Sequence, residues 1–301
     1  MEWLEVRLVA PDGEAAETVC EVMSRYAHGS PVITEEADCG GRLTVAAYLS
    51  DTPEGRQHLR QLREALWHLS CLYPLPEPTV RRLETTDWRE AWKRHYRPLR
   101  VGRRLLIVPT WETAPEEGRV VVRLDPGMAF GTGQHPSTRT CLCLVEDTLT
   151  PGDRVLDVGS GSGILAIAAA KLGAGQVWAV DVDEVAVRAT RENAEHNAIP
   201  WSADSPPPGG LCVRQGSVEA AEGSFDLIVI NILADVILHL LPEVIPRLSA
   251  QGRLLLGGIL HPQAHAVTRA LEEHRLTVQR VVQEGDWMAL LAACPVNSAP
   301  G

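Results

Sequence analysis

The stretch Arg154–Leu172, with the sequence RVLDVGSGSGILAIAAAKL, decides the fold of this 301-residue chain. Its first five residues are a short apolar run that predicts a buried strand, and Ile164–Leu172 predicts a helix. Glycines at alternate positions separate the two, and they let the backbone turn tightly and approach a ligand. The free N–H groups at the start of the helix would face that ligand. The stretch therefore predicts the strand, turn and helix of a nucleotide-binding sheet.

A second strand with an acidic end follows directly. Residues Gln176–Val180 predict this strand, and Asp181 after it can accept hydrogen bonds from both hydroxyls of a ribose. However, Gly161, Gly163 and Ala166 also satisfy the pattern G-x-G-x-x-A, with Asp181 twenty residues beyond Gly161, as in a dinucleotide site. The glycine loop alone therefore leaves two kinds of nucleoside cofactor open.

Asp157, near the end of the first strand, favours S-adenosylmethionine as the cofactor. Its carboxylate places an anion beside the methionine ammonium of that cofactor, a group that the pyrophosphate of a dinucleotide does not possess. We therefore expect Asp157, Gly161 and Asp181 in an S-adenosylmethionine site. A glycine-rich turn without a ligand is the third interpretation, and the two acidic residues at strand ends disfavour it.

Two other segments fall where the carboxyl edge of the sheet would gather them around a nucleoside. Leu124–Thr138, LDPGMAFGTGQHPST, is a glycine-rich lead-in to an apolar helix, and Phe225–Ala234, FDLIVINILA, predicts a buried strand that ends in the amide of Asn231. Phe130 fits a cofactor contact and a core position equally well. His135 fits a catalytic base, but we favour a turn histidine that bonds the backbone.

The chain is predicted to be an α/β protein with a small N-terminal α+β domain. The order βαββαβ in the first part of the chain suggests a ferredoxin-like fold, and later strands alternate with helices, as in a doubly wound parallel sheet. We predict a substrate-recognition domain at 1–83, a linker helix at 84–98 and a catalytic domain at 99–301. The predicted N-terminal elements are strands at 3–10, 31–35, 42–50 and 79–83, a helix at 14–26 and a second helix from residue 53.

Two segments depart from the rest of the chain in composition. Residues 81–104 carry nine basic and three acidic residues, with Trp88, Trp92 and Tyr96 four apart on one helix face. We favour an interdomain helix that buries these aromatic rings over a recognition surface. Residues 200–210, with four prolines and two glycines, are predicted to be a mobile insertion without chemistry.

Charge and cysteine content exclude several classes of function. The net charge of −11 argues against a large nucleic-acid surface, because duplex affinity depends on neutralising phosphates. Seven cysteines without a C-x-x-C pair argue against a disulfide framework and a zinc cluster, and Cys141 and Cys143 are predicted to pack in the core. His261 and His265 lack a third metal ligand.

The start of the chain lacks the pattern of a signal peptide, and its longest apolar stretch, 225–248, is interrupted by polar residues. We expect a cytoplasmic monomer with no metal, no membrane segment and no direct nucleic-acid recognition.

These motifs together resemble the PrmA methyltransferases, which trimethylate amino groups of protein L11 of the large ribosomal subunit. The resemblance lies in LDPGMAFGTGQHPST, LDVGSGSGILAIAAAKLGA, AVDVDEVAV and NILA, in the order and spacing of the family, and GRLLLGGIL and Trp287 extend it. It implies a class I S-adenosylmethionine-dependent methyltransferase with a recognition domain and a linker helix. It also implies cofactor contacts at Thr138, Gly159, Asp181 and Asn231.

The departures from the family pattern are mild. Ser160 replaces a usual Cys, Ser137 replaces a usual Thr, and Ile230 stands where a small Ala is common. The first eighty residues match only in pattern, so the resemblance indicates the reaction more firmly than the protein substrate. The alternative is a related lysine methyltransferase that acts on a different protein. A catalytically silent binding module is disfavoured because the expected site residues are all intact, namely Asp157, Gly159, Asp181 and Asn231.

Asn231 is the predicted catalytic residue. Methyl transfer from a sulfonium is an in-line displacement, so the acceptor nitrogen must be held in line with the S–CH₃ bond. The side-chain carbonyl of Asn231 can accept a hydrogen bond from the amine and direct its lone pair. Ile232 and Leu233 follow where enzymes that methylate planar nitrogens often carry Pro-Pro-aromatic, which points to an aliphatic amine. The alternative role of Asn231 is to cap the helix predicted at 234–241.

Overall fold

The computed structural model describes residues 3–27, 31–36, 42–70, 73–83, 96–115, 117–125 and 131–294. Backbone contacts divide the chain into two units, Met1–Arg97 and Pro98–Gly301. Most of the predicted linker helix, residues 84–95, lies outside the described residues, and so do Trp88, Trp92 and Phe130.

The N-terminal unit is a four-stranded antiparallel sheet with two helices. The strand order β2-β3-β1-β4, together with the chain order βαββαβ, is that of the predicted ferredoxin-like fold. Alternate residues of β1, such as Val6 and Leu8, are buried with Leu62 and Leu66 of α2. The elements are β1 Trp3–Ala10, α1 Gly13–Ser24, β2 Val32–Glu36, β3 Arg42–Ser50, α2 Pro53–Ser70 and β4 Thr79–Leu83.

The C-terminal unit contains a small sheet and a large one. The small sheet has the order β5-β6-β7, and the eight-stranded sheet has the order β10-β11-β9-β8-β12-β13-β15-β14. Neighbours from β10 to β13 are parallel, whereas β15 is antiparallel to both β13 and β14. The predicted doubly wound, mainly parallel sheet is therefore confirmed.

The strands of this unit are β5 Leu99–Val101, β6 Leu105–Pro109, β7 Val120–Leu124, β8 Arg154–Val158, β9 Gln176–Asp181, β10 Trp201–Ser202, β11 Leu211–Gln215, β12 Phe225–Asn231, β13 Leu248–Leu260, β14 Thr277–Glu284 and β15 Trp287–Ala293. The helices are α3 Pro136–Thr148, α4 Ile164–Leu172, α5 Glu184–His196, α6 Ala234–Val244 and α7 Ala264–Glu273. Short 3₁₀ turns occur at Val218–Ala220, Ile245–Arg247 and His261–Gln263.

The large sheet has a hydrophobic core on each face. Val155 and Val229 pack with α3, α4 and α5 on one face, which we call the α3 face, and Leu156 and Ile228 pack with α6 and α7 on the other. This arrangement follows from the alternation of side chains along a strand. Cys141 is fully buried in the α3-face core, as predicted.

The segment 200–210 is not a purely irregular insertion. Trp201–Ser202 forms the edge strand β10, which pairs with β11, and Arg191 lies 4.9 Å from the centre of the Trp201 ring. Arg214 of β11 donates a 2.7 Å hydrogen bond to the carbonyl of Ala203. The prediction of a mobile insertion is therefore wrong for β10, because the segment's tryptophan lies against the guanidinium of Arg191 on α5.

The described part of the basic segment is held by ion pairs. Arg82 lies 2.7 Å from the Asp51 carboxylate, and Arg100 pairs with Glu117. Tyr96 is buried, as the favoured interpretation expects, but residues 96–98 are not helical, so the predicted linker helix does not extend to residue 98. Within the ranges described above, no helix is both long and apolar enough to cross a membrane.

A buried carboxylate fixes the turn between β5 and β6. Glu146 of α3 accepts hydrogen bonds of 2.9 Å from the backbone N–H groups of both Arg103 and Arg104, and its side chain is 1% exposed. Since each donor is bonded to an ionised group, these bonds are stronger than neutral ones. Glu146 thereby ties the small sheet to α3.

We expect Glu146→Ala to lower the free energy of unfolding by about 2 to 4 kcal/mol, because two backbone donors lose their charged acceptor. Denaturant unfolding measures the loss. The control is Asp147→Ala, which removes only ion pairs to the exposed Arg103 and Arg280 and should cost about 1 kcal/mol or less. Equal losses in the two variants would contradict this assignment.

Candidate cofactor and active site

On the α3 face, the strands of the large sheet have mostly polar residues at one edge of the sheet. On each strand the residues before them are aliphatic members of the α3-face core, so the alternation places these ends on the same face. Parallel strands bring their carboxyl ends to one edge, and β15, which is antiparallel, begins there. In sheet order this edge row consists of Gln215, Asp181, Asp157, Asn231, Gly257 and Trp287.

The glycine loop 159–163 closes tightly over the end of β8. The N–H groups of Gly159 and Ser160 donate to the carbonyl of Val180, at 2.9 and 3.1 Å, so the loop leans toward β9. Gly163 begins α4 with a φ of +79°, and a β-carbon there would lie 2.8 Å from Thr190 Cγ2. A side chain is therefore excluded at Gly163 by both conformation and space.

Asp181 has a role that the sequence did not reveal. Its Oδ2 accepts a 2.9 Å hydrogen bond from the N–H of Gly161, and its Oδ1 accepts one of 3.0 Å from Asp183. Each carboxylate oxygen can accept a further bond, so these contacts leave acceptor capacity for a ribose. Asp181 thus both holds the glycine loop and faces the predicted cofactor site.

Asp157 is a buried carboxylate with one free oxygen. Its Oδ2 accepts a 3.1 Å hydrogen bond from the N–H of Ala166 in the first turn of α4, while Oδ1 has no partner among the described residues. Burial raises the pKa of Asp157 to about 7, with a further increase from the charge of Asp181, against the lowering effect of the Ala166 bond. A cation at Oδ1 would restore the charged form.

Helix α5 holds the glycine loop from the other side, and sequence reasoning missed this. The hydroxyl of Thr190 bonds the carbonyl of Gly161 and the hydroxyl of Ser160, both at 3.1 Å. Asn193 donates to the carbonyl of Ser162 at 2.9 Å. Thr190 and Asn193 are 0 and 1% exposed, so polar residues on the buried side of an amphipathic helix were the signal.

The start of α3 carries Thr138 and His135. Thr138 is fully buried, and its hydroxyl has no hydrogen-bond partner within the described ranges. His135 is the N-cap of α3, where its Nδ1 accepts from the N–H of Ser137 at 3.2 Å. Burial and the nearby Arg139 lower the pKa of His135 to about 4, so the ring is neutral at pH 7. The favoured interpretation, a turn histidine bonded to the backbone, agrees with this geometry.

Asn231 presents a free amide oxygen at the end of β12. Its Oδ1 is buried and without a hydrogen-bond partner among the residues that the structure describes. The helix α6 has Leu233 as its N-cap and no side-chain cap bond. The alternative role of Asn231 as a helix cap is therefore wrong, because the helix begins beyond the reach of its side chain.

No group of three His, Cys, Asp or Glu side chains that could hold a metal occurs in the described part of the chain. His261 is exposed in the 3₁₀ turn after β13, and His265 lies in the first turn of α7. Among the described residues, the candidate site is therefore the edge row together with the glycine loop.

Comparisons with known proteins identify the family of this sheet and edge. The family described as "Ribosomal protein L11 methyltransferase (PrmA)" matches residues 2–294. The chain belongs to this family. A ribosomal protein L11 methyltransferase of Chloroflexus aurantiacus is 39% identical over 97% of this chain and 98% of its own length. One from Symbiobacterium thermophilum is 43% identical over 84% of this chain and 81% of its own.

A solved structure agrees with this membership. The crystal structure of a ribosomal protein L11 methylase from Lactobacillus delbrueckii subsp. bulgaricus matches with a TM-score of 0.59 and 34% identity, over 66% of this chain and 99% of that one. The predicted methyltransferase activity, with S-adenosylmethionine as the cofactor, is confirmed by the family.

The residues present fit this cofactor. Three buried side-chain oxygens of the C-terminal unit lack partners among its described residues, namely Asp157 Oδ1, Thr138 Oγ1 and Asn231 Oδ1, and all three lie where the edge row meets α3. Buried polar atoms are rarely left unbonded, so this cluster indicates a polar ligand. A ligand with an ammonium group and hydroxyls satisfies a carboxylate oxygen, a hydroxyl and an amide oxygen.

Asp157→Asn should separate stability from cofactor binding. In the folded protein the Asp157 carboxyl keeps its proton up to about pH 7, whereas in the unfolded chain it ionises near its ordinary pKa of 3.8. Its contribution to the free energy of unfolding therefore decreases as the pH rises from 3.8 to about 7. We expect the ligand-free variant to melt roughly 3 °C or more above the parent at pH 8, with a smaller gain at pH 5. Its affinity for S-adenosylmethionine at pH 8 should fall about tenfold or more.

Differential scanning calorimetry and titration calorimetry measure these two effects. A melting point below that of the parent at pH 8, or unchanged cofactor affinity, would contradict the assignment.

Proposed function

We propose that this chain transfers methyl groups from S-adenosylmethionine to amino groups of ribosomal protein L11, at lysine side chains and at the N-terminal amine. The observation that carries the proposal is the buried, unbonded oxygen of Asn231 beside the glycine loop of a sheet of this family. The cofactor, when bound, supplies an electrophilic methyl group on sulfur. The chain's own residues must then hold the cofactor, align the amine and keep water away.

Five described residues form the proposed cofactor site on one side of the edge row. Asp181 accepts from the ribose hydroxyls, and Asp157 Oδ1 accepts from the methionine ammonium. The Thr138 hydroxyl bonds the cofactor at the start of α3, and the backbone of Gly159 and Gly161 approaches it closely. Phe130, which lies outside the described residues, stays a predicted cofactor contact.

Asn231 is proposed to orient the acceptor amine. An alkylammonium has no lone pair, and the pKa of a free lysine is about 10.4, so the site must take up the neutral amine. The desolvated edge of the sheet disfavours the charged form. The Asn231 oxygen then accepts an N–H bond from the amine, which turns the lone pair toward the methyl group.

The N-terminal unit is proposed to recognise the protein substrate, and residues 84–98 to link it to the catalytic unit. Its four-stranded sheet has its own hydrophobic core, and none of the three unbonded oxygens of the cofactor site lies within it. An enzyme with this substrate works in the cytoplasm, and we expect it to act as a monomer without direct contact to nucleic acid.

The test is a methylation reaction with purified ribosomal protein L11, followed by intact-mass and fragment-ion spectrometry. We expect the mass of L11 to increase by that of the added methyl groups, and the fragment ions to place these groups on lysine side chains and on the N-terminal amine. If L11 stays unmodified while another protein in an extract takes up labelled methyl groups, the chain is a lysine methyltransferase with a different substrate.

Asn231→Ala should lower kcat by at least about a hundredfold, the loss expected when in-line geometry is relaxed. Its melting point should stay close to that of the parent, because Asn231 Oδ1 makes no bond to the described protein. The control is Asn197→Ala, which removes three hydrogen bonds to Arg123 and Asn193 and should lower stability with little effect on kcat. Near-normal turnover of the Asn231 variant would refute its role.

Asp181→Ala should weaken S-adenosylmethionine binding by roughly 1.5 to 3 kcal/mol, because bonds to two hydroxyls and the anchor of Gly161 are lost together. Titration calorimetry gives the affinity. The control is Asp183→Ala, which removes the N-cap of α5 but no predicted cofactor contact. Equal affinities of the parent and a folded Asp181 variant would exclude the ribose contact.

A further inference from the structure

We propose that Trp287 is a substrate-binding residue whose indole N–H donates a hydrogen bond to a backbone carbonyl of the polypeptide that carries the acceptor amine. This inference rests on the proposed function and deepens it. It begins from an atom without an explanation: Trp287 Nε1 is buried and has no hydrogen-bond partner in the described structure. A buried N–H without an acceptor is costly, so a ligand oxygen is its expected partner.

The topology places Trp287 at the same edge of the sheet as the acceptor position, two strands away from it. Ala289 and Leu291 of β15 belong to the α3-face core, so Trp287 lies on that face by alternation. Its ring packs edge-on against His135, with ring centres 4.7 Å apart, which confirms that it faces the start of α3. Trp287 and Asn231 therefore share one face of one sheet edge.

The order of the strands separates a cofactor side from an acceptor side. Asp181 and Asp157 lie on β9 and β8, on one side of Asn231, whereas β13 and β15 lie on the other. The cofactor contacts proposed above lie on the side of β8 and β9 and at Thr138. Trp287 is thus beyond the acceptor amine as seen from the cofactor, where the rest of the polypeptide substrate must lie.

The spacing suits a peptide carbonyl. β13 separates β12 from β15, and Asn231 pairs with Gly257 whereas Trp287 pairs with Leu260. The two backbones are therefore two strand spacings apart across the sheet, about 10 Å, and up to about 10 Å apart along it. On β13, between these strands, the residue that pairs with Asn231 is Gly257, which has no side chain. An amine bound at Asn231 is separated from its own peptide carbonyls by an alkyl chain that carries no acceptor. The first oxygens that Trp287 can meet are therefore those carbonyls.

His135 is suited to hold the indole without competing for its proton donor. Its Nδ1 is occupied by Ser137, and its low pKa keeps the ring neutral, so it adds no charge at the substrate. Arg139 of α3 donates a 2.8 Å hydrogen bond to Glu284 at the end of β14. This bond ties the start of α3 to the β14–β15 hairpin that carries Trp287. The indole is therefore held in place before the substrate arrives.

A matched pair of variants tests the N–H directly. Trp287→Phe keeps an aromatic ring against His135 but removes the donor. Trp178→Phe removes another buried, unbonded indole N–H from the same sheet, but Trp178 belongs to the core on the opposite face, where Arg214 lies over its ring at 4.8 Å. A loss that comes only from removing a buried tryptophan would appear in both variants.

We expect Trp287→Phe to lower kcat/KM for ribosomal protein L11 about tenfold, chiefly through KM. Its Kd for S-adenosylmethionine should stay within about twofold of the parent value, and Trp178→Phe should change neither quantity by more than that. Equal effects in the two variants would overturn the proposal. So would a matching loss of cofactor affinity in Trp287→Phe, which would give the N–H to the cofactor.

A second measurement does not depend on the identity of the protein substrate. In a ¹⁵N-labelled full-length enzyme saturated with S-adenosylhomocysteine, the Trp287 indole resonance is assigned by its absence in Trp287→Phe. Addition of Nα-acetyl-lysine N-methylamide, which carries the amine and peptide carbonyls, should shift this resonance, while n-butylamine should not. If the parent fails to methylate L11, the proposed substrate is wrong, and the response to the lysine amide still decides the role of Trp287. An unmoved resonance would overturn it.

Discussion

The hydrogen bond from the N–H of Gly161 to Asp181 Oδ2 is the interaction on which the site depends. It joins the loop after β8 to the end of β9, and the bonds from Gly159 and Ser160 to Val180 act in the same direction. Thr190 and Asn193 then hold the loop from α5. With the loop closed from both sides, the start of α4 and the Asp157 carboxylate have only one position relative to the strand ends.

The same alternation of side chains builds the core and the site. Aliphatic residues on the α3 face exclude water from the sheet, and the next residue on that face, at the edge, is polar. This arrangement buries Asp157 beside the core, which raises the pKa of its carboxyl to about 7. The fold thus accepts a buried carboxyl whose ionisation is unfavourable, at a place where a cationic ligand group can offset the charge.

The sequence predicted the elements that depend on neighbouring residues and missed contacts between distant ones. The bounds of β8 and α4 were predicted correctly because an apolar run and a glycine turn define them locally. The clamp by Thr190 and Asn193 joins residues about thirty positions apart, and the position of Trp287 requires knowledge that β15 is antiparallel and pairs with β13. β10 was missed because the prolines and glycines of the surrounding segment 200–210 predict a loop, while the strand with which β10 pairs comes later in the chain.

Ile232 is packed between the glycine loop on the cofactor side of the site and the end of β13 on the acceptor side. A β-carbon at Gly159 would lie 2.7 Å from the Ile232 side chain, and one at Gly258 would lie 2.3 Å from its carbonyl oxygen. Both glycines have positive φ, so the loop after β8 and the end of β13 pack closely on the residue next to Asn231. A side chain at either glycine would therefore collide with Ile232. The two glycines thus let the loop after β8 and the end of β13 pack against the same residue, which keeps the proposed cofactor side and the proposed acceptor side close together.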